Sequence, residues 1–231
     1  YGLSSKDTDT AQLVAVFRNL TSENPVNSFT IGIVDDVTHL SLPTPKLEDF
    51  ENEGVYECKF WGLGGDGTVG ANHNTVKILG DCEDMYSQAY FEYDAKKSFG
   101  VTKSHLRLSK KPIRSSYYVK SADFLACHNE SFISQYDLVE EIKDGGTLLL
   151  NCSWSEEELT EKLPANVKKT IAQKNIKLCV IDATRLAMEI GLGNHTNMVL
   201  QAAFFKASAL MDVDKALDYM KDAARKTYFR K

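Results

Sequence analysis

Val55-Tyr-Glu-Cys-Lys-Phe-Trp-Gly-Leu-Gly-Gly-Asp-Gly-Thr-Val-Gly-Ala-Asn72 decides the fold. Four of its first seven residues, Val55, Tyr56, Phe60 and Trp61, are β-branched or aromatic, the composition of a strand. Gly62 to Gly67 then match G-x-G-x-x-G, and the apolar spacing from Thr68 to Leu79 is helical. Strand, glycine turn and helix in that order make the opening of a βαβ unit. Glycines admit positive φ and put no Cβ between amide N–H groups and an oxyanion, while a helix N-terminus adds its positive dipole end. The turn is therefore either a phosphate cradle or a tight strand-to-helix crossover. Thr68 stands where its hydroxyl could cap the helix or reach a phosphate.

Working outward, the same alternation continues. Strands are expected at 88–93, 101–108, 116–119, 123–127, 146–151 and 177–183, with helices over 131–142, 156–175 (broken at Pro164), 184–190, and two more between Thr196 and Tyr228. Strands followed by helices predict a mostly parallel sheet covered on both faces. The consecutive strands from 88 to 119 predict an antiparallel portion, and the chain ends in helices. Upstream, Asp7 to Leu20 reads as a short amphipathic helix capped by Asp7 or Thr8, and Phe29 to Val34 as a strand. Leu42 to Glu53, with two prolines and four carboxylates, is an exposed connection. The expected division is 1–45 as an N-terminal segment linking to a preceding domain and 46–231 as one α/β domain.

The 231 residues are 43% hydrophobic and 26% charged, ordinary values for a folded chain long enough to bury a core. A net charge of −5 excludes a generally basic nucleic-acid binder. No apolar run reaches the ~18 residues of a membrane span, which predicts a soluble chain. Five dispersed cysteines without a C-x-x-C spacing, and five histidines without paired spacing, predict reduced thiols in a cytoplasmic setting and no metal site. A start at Tyr1 reads as a piece of something longer.

The ligand class can be narrowed. A nicotinamide fold wants an acidic residue at the tip of the second strand to hold ribose hydroxyls, but that tip reads Glu92-Tyr-Asp-Ala-Lys96-Lys97. Paired lysines suit an extra phosphate on the ribose, as in NADP or coenzyme A. Gly65-Asp-Gly67 is not a thiamine diphosphate motif, because no asparagine pair follows to complete the Mg²⁺ cage. Ser104-His-Leu-Arg107 with Lys110, Lys111 and Arg114 is a basic run that either receives acidic groups or is solvated. Cys127 and His128 point to opposite faces of a strand, so Cys127 is core rather than a nucleophile. Gly191-Leu-Gly193-Asn-His-Thr-Asn197 is either a helix stop and restart or a second anion-facing helix start, with Asn197 as a ligand contact.

Beyond single motifs, the stretch Cys58 to Asn72 resembles the pyruvate:ferredoxin oxidoreductase family. So do Tyr1-Gly-Leu-Ser-Ser-Lys6, Asp35-Asp-Val-Thr-His-Leu-Ser-Leu-Pro43, Ser104-His-Leu-Arg107, Lys111-Pro-Ile-Arg-Ser115, Ala126-Cys-His-Asn129 and Gln201-Ala-Ala-Phe-Phe-Lys206. The resemblance implies the internal domain equivalent to the gamma subunit of 2-oxoacid:ferredoxin oxidoreductases, with a coenzyme A-binding role. Carried over residue by residue, the phosphates would be held by Gly64, Gly65, Asp66, Gly67, Thr68, Lys96 or Lys97, and Asn197. Gly65 stands where Ala or Ser is common in the family, and Asn194-His195 where Gly-Arg is common. The implied parent enzyme, a homodimer, converts pyruvate and coenzyme A to acetyl-CoA and CO₂ and reduces ferredoxin or flavodoxin. Its thiamine diphosphate, Mg²⁺ and [4Fe-4S] clusters lie outside this segment, which contributes no catalytic residue and is expected to be inactive alone. The rival readings are an NADP-binding oxidoreductase domain and a non-catalytic assembly module of the same complex.

Overall fold

The structure is a computed structural model that describes residues 8–45, 54–82, 85–94 and 100–228. The chain divides into two compact units: residues 1–52 with 115–117, and residues 53–114 with 118–231.

The larger unit is built on a six-stranded sheet. In chain order its strands are β1 (Val55–Leu63), β2 (Tyr86–Tyr93), β3 (Val101–Ser109), β4 (Ala122–Cys127), β5 (Ile142–Asn151) and β6 (Lys177–Ile181). They lie side by side as β2-β3-β1-β4-β5-β6. The pairs β1/β4, β4/β5 and β5/β6 are parallel, while β1/β3 and β2/β3 are antiparallel. This is the mixed, mostly parallel α/β sheet that the alternation of elements predicts, with helices on both faces and a helical end.

Alternation along each strand divides the core into two. Cys58, Phe60, Phe124, Ala126 and Leu149 face one side. There they meet helix α2 (Thr68–Cys82) and the two closing helices, α7 (Asn197–Ser208) and α8 (Val213–Tyr228). Phe204 of α7 packs edge-on against Phe60 and Phe124, with ring centroids 5.2 and 5.0 Å apart. Trp61, Leu125, Cys127, Leu148 and Leu150 face the other side. They are covered by α3 (Phe132–Gln135), the 3-10 turn Leu138–Glu141 and α5 (Ala165–Gln173), which follows α4 (Glu156–Lys162) beyond Pro164. Strands with apolar side chains on both faces must be buried on both. The remaining helix, α6 (Ala183–Glu189), follows β6.

Four local expectations change. Residues 116–119 form no strand; the Val119 amide instead donates to His105 Nδ1 at 3.2 Å, so it has no N–H left for a ladder. The helix expected over 131–142 is a four-residue turn that stops where Tyr136 becomes extended (φ −130°, ψ 149°), and β5 begins already at Ile142. Its start passes through Gly145 at φ 73°, a turn that periodicity does not register. Residues 29–34 contribute only a single parallel bridge, Thr30 to Ser41. In the smaller unit, α1 (Thr10–Leu20) is capped by Asp9 in a capping box with Gln12, in place of the expected Asp7 or Thr8; Asp7 lies outside the described residues.

Candidate functional site

The turn after β1 is closed by its own aspartate. Asp66 Oδ2 accepts the Leu63 amide at 2.8 Å, and Oδ1 accepts the Thr68 amide at 2.7 Å. The Asp66 amide donates to the Leu63 carbonyl, and the Gly64 amide to the Gly100 carbonyl at 2.8 Å. A Cβ on Gly62 would lie 2.7 Å from Thr68 Oγ1 and 3.0 Å from Asp66 Oδ2, so the first glycine is what lets this knot form. Gly65 and Gly67 have φ of 96° and 83°, and among the described residues their amides donate to nothing. A Cβ on Gly65 would meet open space. One on Gly67 would lie 3.0 Å from Asn197 Nδ2, which puts the first residue of α7 directly over the turn.

Thr68 is buried, and its hydroxyl is 2.7 Å from His128 Nδ1. This bond joins the turn after β1 to the turn after β4. Burial pushes the His128 imidazole down to about 4, so at neutral pH it is an uncharged partner. The helices that follow these two adjacent parallel strands, α2 and α3, lie on opposite faces of the sheet. The crevice between such strand ends is where open α/β sheets bind ligands.

On the far side of His128 lies a cleft of about 610 Å³, lined by His128, Asn151, Cys152, Asp182, Arg185 and Glu189 among others. Asn151 spans its floor, donating to the His128 carbonyl at 3.0 Å and accepting the Ala183 amide at 3.0 Å. Sequence reasoning missed Asn151 and Arg185. The available signal was a polar residue ending the apolar run Gly146-Thr-Leu-Leu-Leu-Asn151.

The structure thus brings Gly64, Gly65, Asp66, Gly67, Thr68 and Asn197 together. Lys96 and Lys97 lie outside the described residues. Asp66 and Thr68 are committed to bracing: the carboxylate holds two loop amides and the hydroxyl holds His128. The amides that donate to nothing among the described residues belong to Gly65 and Gly67, both exposed. Cys127 lies in the core with Sγ 3.1 Å from the Asn129 carbonyl, and burial pushes its thiol up to about 12, far from a nucleophile's range. Gly191 and Gly193 end α6: the Gly191 and Leu192 amides return to Met188 and Ala187 as in a helix C-cap. The basic run is neither solvated nor facing a ligand at His105 and Arg107, which are buried in β3; Arg107 Nε lies 2.7 Å from Glu57. No group of three or more His, Cys, Asp or Glu among the described residues could hold a metal ion. No helix among them is long and apolar enough to cross a membrane.

Over 231 residues the chain is 52% identical to the pyruvate:ferredoxin oxidoreductase of Moorella thermoacetica, covering all of this chain and 20% of that protein. It spans between about an eighth and a fifth of the length of the curated relatives it matches. A pyruvate oxidoreductase subunit of Thermotoga maritima shares the fold, with a TM-score of 0.59 at 19% identity over 74% of this chain and 85% of that one. So does part of the 2-oxoglutarate:ferredoxin oxidoreductase of Magnetococcus marinus, solved with 2-oxoglutarate, coenzyme A and succinyl-CoA bound. There the TM-score is 0.55 at 14% identity, over 75% of this chain and 28% of that one. The model of the pyruvate ferredoxin/flavodoxin oxidoreductase family matches residues 57–231, from the glycine turn's own strand to the final helix. A match running through every element of the sheet is more than a shared turn, and the chain belongs to that family.

Proposed function

We propose that this chain seats coenzyme A for a larger pyruvate oxidoreductase, as its internal gamma-type domain. The observation that carries the reading is the pair of exposed Gly65 and Gly67 residues whose amides donate to nothing among the described residues, set at the β1/β4 switch point beside Asn197. Two N–H groups on positive-φ glycines, backed by the N-terminus of α2, form a concave donor surface that suits a phosphate oxygen. Lys96 and Lys97 follow β2 in sequence and supply the cations that a pyrophosphate and a ribose phosphate require. The Magnetococcus relative, solved with coenzyme A, supports the same ligand class.

In the parent reaction pyruvate loses CO₂, the remaining two-carbon unit is oxidised by two electrons that pass to ferredoxin or flavodoxin, and coenzyme A accepts the acetyl group as its thioester. Thiamine diphosphate and iron–sulfur clusters, held elsewhere on the parent, would supply the carbanion and single-electron chemistry. This chain's own part is to hold the acceptor, which converts an encounter into a positioned attack.

Gly65→Val in the full-length parent enzyme tests the reading. A Cβ there meets nothing in the fold, so the substitution carries a positive-φ strain of about 1–2 kcal/mol and shades the two amides. The KM for coenzyme A should rise at least tenfold, while coenzyme A-independent release of CO₂ from pyruvate continues at the parent rate. An unchanged KM for coenzyme A would overturn the assignment.

A further inference from the structure

The smaller unit turns its hydrophobic residues outward. Leu13, Val16, Phe17 and Leu20 fall at i, i+3, i+4 and i+7 of α1, a single apolar stripe. A helix in a self-sufficient domain turns such a stripe inward. Here the buried residue is Ala15, on the opposite side, while Phe17 and Leu20 are 67% and 69% exposed. The loop that follows repeats the inversion. Backbone bonds from Thr30 to Leu40 and from Leu42 to Thr30 pinch its base. Asp36 braces its interior, accepting the Thr38 amide at 3.1 Å, the Thr38 hydroxyl and the Ser41 amide at 2.6 Å. On this fixed frame Val34 and Val37 are 91% and 89% exposed. Among the described residues from 8 to 45, only Ala15 and Ile31 are buried hydrophobics, too few to make a core.

Exposed apolar surface on a braced scaffold marks an interface. We infer that the α1 stripe and the Val34/Val37 loop tip dock into an apolar surface supplied by the same parent polypeptide, from a part outside these 231 residues. The chain spans between about an eighth and a fifth of the length of its curated relatives, so most of such a polypeptide lies elsewhere and is tethered at high effective concentration. With only two buried hydrophobics among its described residues, the unit gains from a partner that is always present, and a covalently connected one meets that need. The inference rests on reading the chain as one part of a longer enzyme. It does not depend on the coenzyme A site, because the Gly65→Val result and the docking result are read in separate assays.

The test is a photo-crosslinking residue, p-benzoylphenylalanine, placed at Phe17 in one full-length parent enzyme and at Val34 in another. Peptide mapping should find both links on residues outside 1–231, with the mass of a single chain on a denaturing gel. Links confined to residues 1–231, a doubled chain mass, or no link at either position would overturn the proposal. A second measurement needs no variant. In hydroxyl-radical footprinting of the native parent enzyme, Phe17 and Leu20 should be oxidised at least tenfold more slowly than in the denatured enzyme, and equal rates would overturn the proposal as well.

Discussion

Arg107 and Glu57 meet across neighbouring antiparallel strands, 2.7 Å apart and almost wholly out of water, with Lys143 3.4 Å from the same carboxylate. Such a pair gains little over a hydrophobic one, but breaking it strands a charge. Arg107→Leu should therefore cost about 3–5 kcal/mol in denaturant unfolding, and Glu57→Leu combined with it should recover most of that loss. The sequence shows a basic run at 104–114, but a charge count along one segment does not reveal a carboxylate fifty residues away that register brings opposite. His128 gives a prediction of the other kind. Folding lowers its pKa from 6.5 to about 4, so between those values the unfolded chain holds a proton that the folded chain lacks. Its neutral, buried form leaves stability intact above pH 6.5, and stability falls as the pH drops from there towards 4, by roughly 3 kcal/mol in all. His128→Gln should flatten the stability–pH curve in that window, whereas an equally steep curve in the variant would mean other groups set it.

At the scale of the element, the turn between β1 and α2 was legible as strand, glycine turn and helix because each part has a local signature: an apolar run, three glycines, a helical spacing. What the glycines leave open is how the amides are shared. The structure resolves this through Asp66, which takes two amides, and through Gly64, whose amide goes to Gly100. The loop is therefore half packing turn and half donor surface. Asp66→Ala should remove both braces, cost about 1.5–3 kcal/mol per charge-assisted bond, and raise the KM for coenzyme A in the parent enzyme by letting Gly65 and Gly67 drift. A loss of stability with no change in that KM would assign Asp66 to folding alone. Elements without such local signatures were read less well. The expected strand at 116–119 failed because its apolar residues pack onto the sheet rather than joining it: Tyr118 stacks on His105 with ring centroids 4.5 Å apart. The expected helix over 131–142 failed because Tyr136 turns extended after one helical turn and β5 begins already at Ile142.

For the molecule as a whole, the alternation of strands and helices fixes the fold class, but the strand order is a non-local outcome. β1 lies between β3 and β4, so the glycine turn neighbours a loop more than sixty residues later, and Thr68 meets His128. The position of Asn151 and the contact of Asn197 with Gly67 are likewise products of assembly, which is why local motifs point to the glycine turn and not to Asn151. The same topology frames the role of Lys96 and Lys97. They follow the edge strand β2 in sequence and precede Gly100, whose carbonyl accepts the Gly64 amide. We propose that a phosphate on the Gly65 and Gly67 amides is the counter-charge of one of these lysines. One charge-assisted bond contributes about 1.5–3 kcal/mol, so alanine at the contacting lysine in the parent enzyme should raise the KM for coenzyme A roughly ten- to hundredfold. The KM for pyruvate should stay within about twofold, since the acceptor binds separately from the keto acid. Added salt should narrow the gap between parent and variant, because an ion pair between a lysine and a phosphate is screened more than hydrogen bonds from uncharged backbone amides. If the single and double alanine variants keep the parental KM for coenzyme A at low salt, the phosphate is held by the loop amides alone.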